Sequence, residues 1–178
     1  MLKYYAAAAA LKAFSCNALT RRLYRALGNV VGGRKRATGK LPSNYPARLR
    51  RMRETFERNG VLKDGGRVLE VGTGWFHWEA IATHLFYGTS GVLFDVWDNR
   101  QFDALQNYFG QLDRMADSLG LDERSLSRAR SALAKIKASS SWEELYGALG
   151  FEYTINETGM LGELADGSFD LVISAGVL

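Results

Sequence analysis

The 178-residue chain has one cysteine, Cys16, and two histidines, His77 and His84. A single thiol excludes an internal disulfide framework, and so few soft ligands argue against a zinc site of the Cys/His kind. No stretch approaches the ~20 apolar residues that a membrane span needs. The opening segment, Met1 to Phe14, has an alanine-rich apolar run from Tyr4 to Leu11 that Lys12 interrupts. Basic residues follow where a small-residue cleavage site would stand, so it does not read as a signal peptide. These absences leave a cytoplasmic protein of ordinary globular composition, 47% hydrophobic and 24% charged.

Charge is unevenly spread. Residues 1–67 carry 16 Lys/Arg against 3 Asp/Glu, and residues 68–178 carry 7 against 16. Either the first third meets something acidic, or it docks on the acidic remainder. A plain scaffold role, contact with an anionic membrane surface (a peripheral location) and contact with RNA are its readings, in that order.

The pattern divides the chain into a helical basic N-terminal extension, 1–60, and an α/β domain, 61–178. In the extension Leu19, Leu23, Leu27 and Val30 recur at helical spacing. Gly32-Gly33 and the run Arg34 to Lys40 read as an exposed loop. Pro46 stands near the start of a second helix with Leu49, Met52 and Phe56 on one face, ended by Asn59-Gly60. From residue 67 short apolar runs alternate with helical ones. Strands are expected at 67–71, 91–96, 151–155 and 169–174. Helices are expected from Trp75 to Leu85, from Phe102 to Leu119, and over 122–138 and 141–149, with Ser141 as an N-cap. Alternation of this kind predicts a doubly wound parallel α/β sheet. The last strand has no helix behind it to cover its face, so the domain is expected to continue beyond Leu178 or to be completed by a partner chain.

The informative segment is Val68-Leu69-Glu70-Val71-Gly72-Thr73-Gly74. Ligands of open α/β sheets sit at the carboxyl ends of the strands. Gly72 and Gly74 allow a tight bend and a close backbone approach there. A dinucleotide site wants glycine at the sixth position of Gly-x-Gly-x-x-Gly; that position is His77, and Trp75-Phe76 crowds the bend. Glu70 would repel a pyrophosphate and attract an ammonium group. Asp95, ending the second strand, can accept both hydroxyls of a ribose. An NAD-dependent Rossmann oxidoreductase is therefore the weaker alternative, and a non-catalytic module binding RNA or a membrane surface is another.

Val-Leu-Glu-Val-Gly-Thr-Gly resembles the first motif of class I S-adenosyl-L-methionine-dependent methyltransferases. Leu93-Phe94-Asp95-Val96 looks like their second-strand motif, and Asp166-Gly167-Ser168-Phe169-Asp170-Leu171-Val172-Ile173 looks like their fourth strand. The three occur in family order and cover residues ~61–178. The resemblance implies a Rossmann-like fold, S-adenosyl-L-methionine as cofactor and a methyl acceptor it does not identify. It implies that Glu70, Gly72, Thr73 and Gly74 line the methionine part, that Asp95 holds the ribose and that Val96 touches the adenine. Asn156 and Glu157 would meet the adenine edge, and Ser174 and Ala175 would border the cofactor on the acceptor side. The family's third glycine is Phe76 here. No catalytic residue is implied. Trp75, Phe76 and Trp78 read as core more than as stacking partners, His77 and His84 as neighbours on one helix face, and Asp98 as a helix cap.

Overall fold

The structure, a computed structural model, describes residues 18–162 and 164–175, with side chains for all of these but 18 and 21–28. Met1–Phe14 and Cys16, on which expectations were placed, lie outside them. The elements in chain order are α1 (Ala18–Thr38), α2 (Asn44–Asn59), β1 (Arg67–Val71), α3 (Trp78–Tyr87), β2 (Ser90–Asp95), α4 (Phe102–Asp113), a 3-10 turn (Ala116–Leu119), α5 (Glu123–Ala138), α6 (Trp142–Leu149), β3 (Phe151–Ile155) and β4 (Leu171–Ile173).

The four strands form one all-parallel sheet in the order β3-β2-β1-β4, consistent with a Rossmann-like fold. The apolar runs of β1 and β2 are buried as central parallel strands must be. Val68, Leu93, Phe151, Tyr153 and Leu171 face a core shared with α2 through α6. The ten-residue α3 lies within it, with eight residues buried, because its sequence is apolar nearly all round. The opposite sheet face presents Leu69, Val92 and Phe94, covered by Leu161, Leu164 and Phe169 of the connection into β4. That connection carries the chain to the far side of β1. The strand order therefore reverses between β1 and β4, the place where open parallel sheets bind ligands.

Three expectations are corrected. Gly32 to Thr38 is helix, the last part of α1, not an exposed loop. Local propensity disfavours it, but long-range capping overrides propensity. Asn107 Nδ2 donates to the Arg36 and Gly39 carbonyls at 2.7 Å each, and Gln111 Nε2 donates to Gly39 O at 2.8 Å. Two amides of α4 thus satisfy carbonyls that a helix end leaves open. Second, the helix after the glycine bend begins at Trp78, not Trp75, so His77 is not on a helix face with His84. Third, α4 starts at Phe102, and Asp98 does not cap it: its carboxylate pairs with Arg100 at 2.7 Å and accepts from Arg100 N at 3.0 Å.

Candidate functional site

The bend after β1 is built by backbone geometry. Gly72 and Gly74 have φ of 74° and 66°, in the left-handed region that glycine occupies without a steric penalty. Gly72 N donates to Phe94 O at 2.8 Å, which ties the bend to β2. Asp95, 6% exposed, accepts from Gly74 N at 3.2 Å on Oδ2 and from Val96 N at 2.8 Å on Oδ1. Each oxygen keeps a lone pair beyond these bonds. Asn156 N donates to Asp95 O at 3.1 Å. The carboxyl ends of three strands thus bring Gly72, Thr73, Gly74, Asp95, Val96 and Asn156 together.

Other predicted residues stand differently. The Asn156 side chain is spent on its own turn, accepting from Thr158 N at 3.0 Å and donating to Met160 O at 3.1 Å. Glu157 is exposed. Ser174 follows Ile173, which pairs with Glu70 at the end of β1, and lines a groove between β4 and α2.

A cavity of about 270 Å³ opens over the bend, lined by Gly72 to Glu79, Tyr45 and Arg48 of α2, Asn99 and Ala175. Five buried polar atoms of its lining residues, Arg48 Nε, Thr73 Oγ1, His77 Nδ1, Trp78 Nε1 and Glu79 Oε1, have no hydrogen-bond partner. Such groups cost about 1–3 kcal/mol each when left dry. Arg48 Nη2 and Glu79 Oε1 meet there at 2.6 Å as charges, without hydrogen-bond geometry at Glu79 Oε1 or Arg48 Nε. Burial holds the Glu79 carboxyl above its usual range, and Arg48 opposes that shift.

Glu70 sits beneath this cavity and does not line it. It is 1% exposed, and its Oε2 accepts from Ala80 N at 2.9 Å, closing the start of α3. Burial, reinforced by the charge of Glu79, raises its carboxyl well above the ordinary value. Glu79, the second residue of α3, is the carboxylate that lines the cavity. Sequence reading passed over it because its position on α3 depends on where that helix begins. Glu70→Ala is expected to strand the Ala80 N–H and cost about 1–3 kcal/mol of stability. Glu70→Gln, which keeps an acceptor and has no charge to bury, should cost under about 1 kcal/mol; urea denaturation of both variants separates the two outcomes.

The second unforeseen feature is an aromatic cluster beside the bend. His77, fully buried with a left-handed φ of 50°, packs against Trp142, Tyr146 and Tyr153 at ring distances of 4.9, 5.8 and 5.4 Å. Its Nε2 and the Tyr146 hydroxyl share a hydrogen bond of 2.8 Å, while Nδ1 has no partner. Arg100 covers the cluster, 4.3 Å from the Tyr153 ring centre, so that the loop after β2 is fastened by cation–π contact and by Asp98. Phe76 and Trp78 are core, as their spacing suggested, while Trp75 is 38% exposed and carries the Arg36 guanidinium on its ring.

A groove of about 450 Å³ adjoins the cavity, lined by Met52, Thr55 and Phe56 of α2 and by Leu171 to Ala175, and sharing Arg48, Glu79 and Ala175 with it. Comparison of the chain with protein-family models, with curated proteins and with solved structures found no match.

Proposed function

We propose that the domain binds S-adenosyl-L-methionine and serves methyl transfer. The observation that carries this reading is the joining of the glycine bend, which lines a cavity, to the Asp95 carboxylate at the tip of β2. The cofactor's sulfonium methyl is the electrophile of such a transfer when it is bound. The residues present fit it. The cavity is below the ~300–1,000 Å³ that encloses a whole ligand of this size, so it suits the amino-acid end. There Glu79 would face the ammonium and Arg48 the carboxylate, with the Gly72–Gly74 backbone and Thr73 Oγ1 alongside. The nucleoside end falls to Asp95 and Val96. Glu70 acts on this end only by holding the start of α3.

The groove beside Ser174 and Ala175 is the acceptor side in this reading. Direct displacement asks chiefly for alignment and exclusion of water, and no side chain is assigned as a base. The oxidoreductase alternative is not favoured. A pyrophosphate would need free amides at the start of α3, and Glu70 takes that of Ala80.

Calorimetric titration with S-adenosyl-L-methionine, and separately with NAD, tests the reading. Heat with the first alone supports it, and heat with NAD alone overturns it. Asp95→Ala is expected to weaken cofactor binding by about 1–3 kcal/mol, roughly 5- to 150-fold. Unchanged affinity would remove Asp95 from the site.

A further inference from the structure

The docking of α1 leaves its described aliphatic side chains in solvent. The Leu19, Leu23, Leu27, Val30 stripe has the spacing of a core-facing helix. Yet Leu19 is 77% exposed, Val30 57% and Val31 67%. The helix meets the rest of the protein through its polar and small side instead. Asn29 Nδ2 donates to Asn99 Oδ1 at 3.2 Å, Arg36 Nη1 donates to Gln101 Oε1 at 3.1 Å, and Gly33 lies against the Gln101 side chain. Residues 19 and 30 are three turns apart and so nearly aligned along the helix. The outward side of α1 is therefore aliphatic at both ends.

Its charge is of one sign. Ala18–Thr38 contains six arginines and lysines and no acidic residue. Arg36 is spent on Trp75 and Gln101, but Arg34 and Lys35 stand exposed beside Val30 and Val31. A helix that shows aliphatic side chains and unopposed cations together matches one environment: the headgroup layer of an anionic bilayer. Apolar side chains enter the acyl boundary there, and cations meet phosphates. A second copy of the chain would bring the same positive charge against itself. Nucleic acid would satisfy the charges and gain nothing from Leu19, Val30 and Val31. No described helix is long and apolar enough to cross a membrane, so α1 would lie along the surface.

We propose that α1 is a membrane-surface helix, with its Leu19, Val30 and Val31 side in the headgroup region of an anionic bilayer. This is independent of the cofactor reading. The test is co-sedimentation of the full chain with vesicles of phosphatidylglycerol and phosphatidylcholine, and with vesicles of phosphatidylcholine alone, at low and high salt. Binding to the first, lost in high salt and absent with the second, is expected. Leu19→Glu/Val30→Glu should weaken it by about tenfold or more, and Arg34→Glu/Lys35→Glu should do the same through charge. All four side chains are exposed, so the circular dichroism spectrum should stay unchanged. Equal binding to both vesicle types, or binding insensitive to Leu19→Glu/Val30→Glu, overturns the proposal. So does salt-sensitive capture of an RNA oligomer that displaces the vesicles and ignores the aliphatic substitutions, or a dimer in ultracentrifugation that those substitutions dissolve.

Discussion

Gly91→Ala is expected to cost at least about 4 kcal/mol, enough to unfold much of a domain whose whole stability is of the order of 5–15 kcal/mol. Gly91 has φ of 148°, and a Cβ placed on it would stand 1.8 Å from Val68 O and 2.8 Å from Val68 N and C. These are backbone atoms, so no rotamer change relieves the clash. The residue lies in a central strand, opposite Val68 of β1 on one side and Phe151 of β3 on the other. Relief requires β2 to draw away from β1, which opens the core at Leu93 and moves Asp95 off Gly74 N. Gly74→Ala is the control. Its φ of 66° is also left-handed, but nothing lies within 4 Å of the added methyl, so about 1 kcal/mol of backbone cost is expected. Urea unfolding followed by circular dichroism measures both. A Gly91→Ala midpoint close to that of Gly74→Ala would contradict the close approach of β1 and β2.

The same residue marks how far sequence carries. As a letter, Gly91 only opens a strand pattern; that it is required there depends on the partner strand's carbonyl, which no local window contains. The strands themselves were legible because buried parallel strands are short apolar runs, and β1 and β3 fall on the residues expected, 67–71 and 151–155. The Gly72–Gly74 bend was legible for the same kind of reason, since glycine types mark backbone geometry. The rest depended on distant partners. Gly32-Gly33 looked like a break, because the amides that cap α1 belong to Asn107 and Gln111, some seventy residues away. Helical spacing identified an aliphatic stripe on α1 but not which way the helix turns it. For Glu70, spacing put a carboxylate at the strand tip, whereas its use as an acceptor for Ala80 N depends on α3 starting three residues later than its pattern suggested.

Acid should destabilise the fold through His77, by about 2 kcal/mol between pH 7 and pH 5. Burial, with the nearby Arg100 charge in support, lowers its pKa from 6.5 to about 3, and the Thr73 carbonyl opposes this without making a hydrogen bond to Nδ1. In the unfolded chain the ring takes its proton near 6.5. Between those two values the unfolded state binds more protons, so stability is full above pH 6.5 and falls as pH is lowered towards 3. Glu70 and Glu79 act in the opposite sense. Their raised carboxyls hold protons in the fold that the unfolded chain would release, which favours the fold at low pH and fades as pH rises through their folded values. The net curve therefore mixes both effects, and His77→Asn isolates one of them. Asparagine tolerates the left-handed backbone at this position better than most residues and does not titrate. The variant should be less stable at pH 7 but should lack the 2 kcal/mol loss between pH 7 and pH 5. Parallel stability–pH curves for the two proteins would mean that His77 is not held neutral in the fold. His77 also lines the cavity over Gly72–Gly74. Because the ring stays neutral in the fold down to about pH 3, its packing among Trp142, Tyr146 and Tyr153 and the bend that Asp95 holds should keep their geometry from pH 7 to pH 5, and the loss should appear in the unfolding midpoint alone.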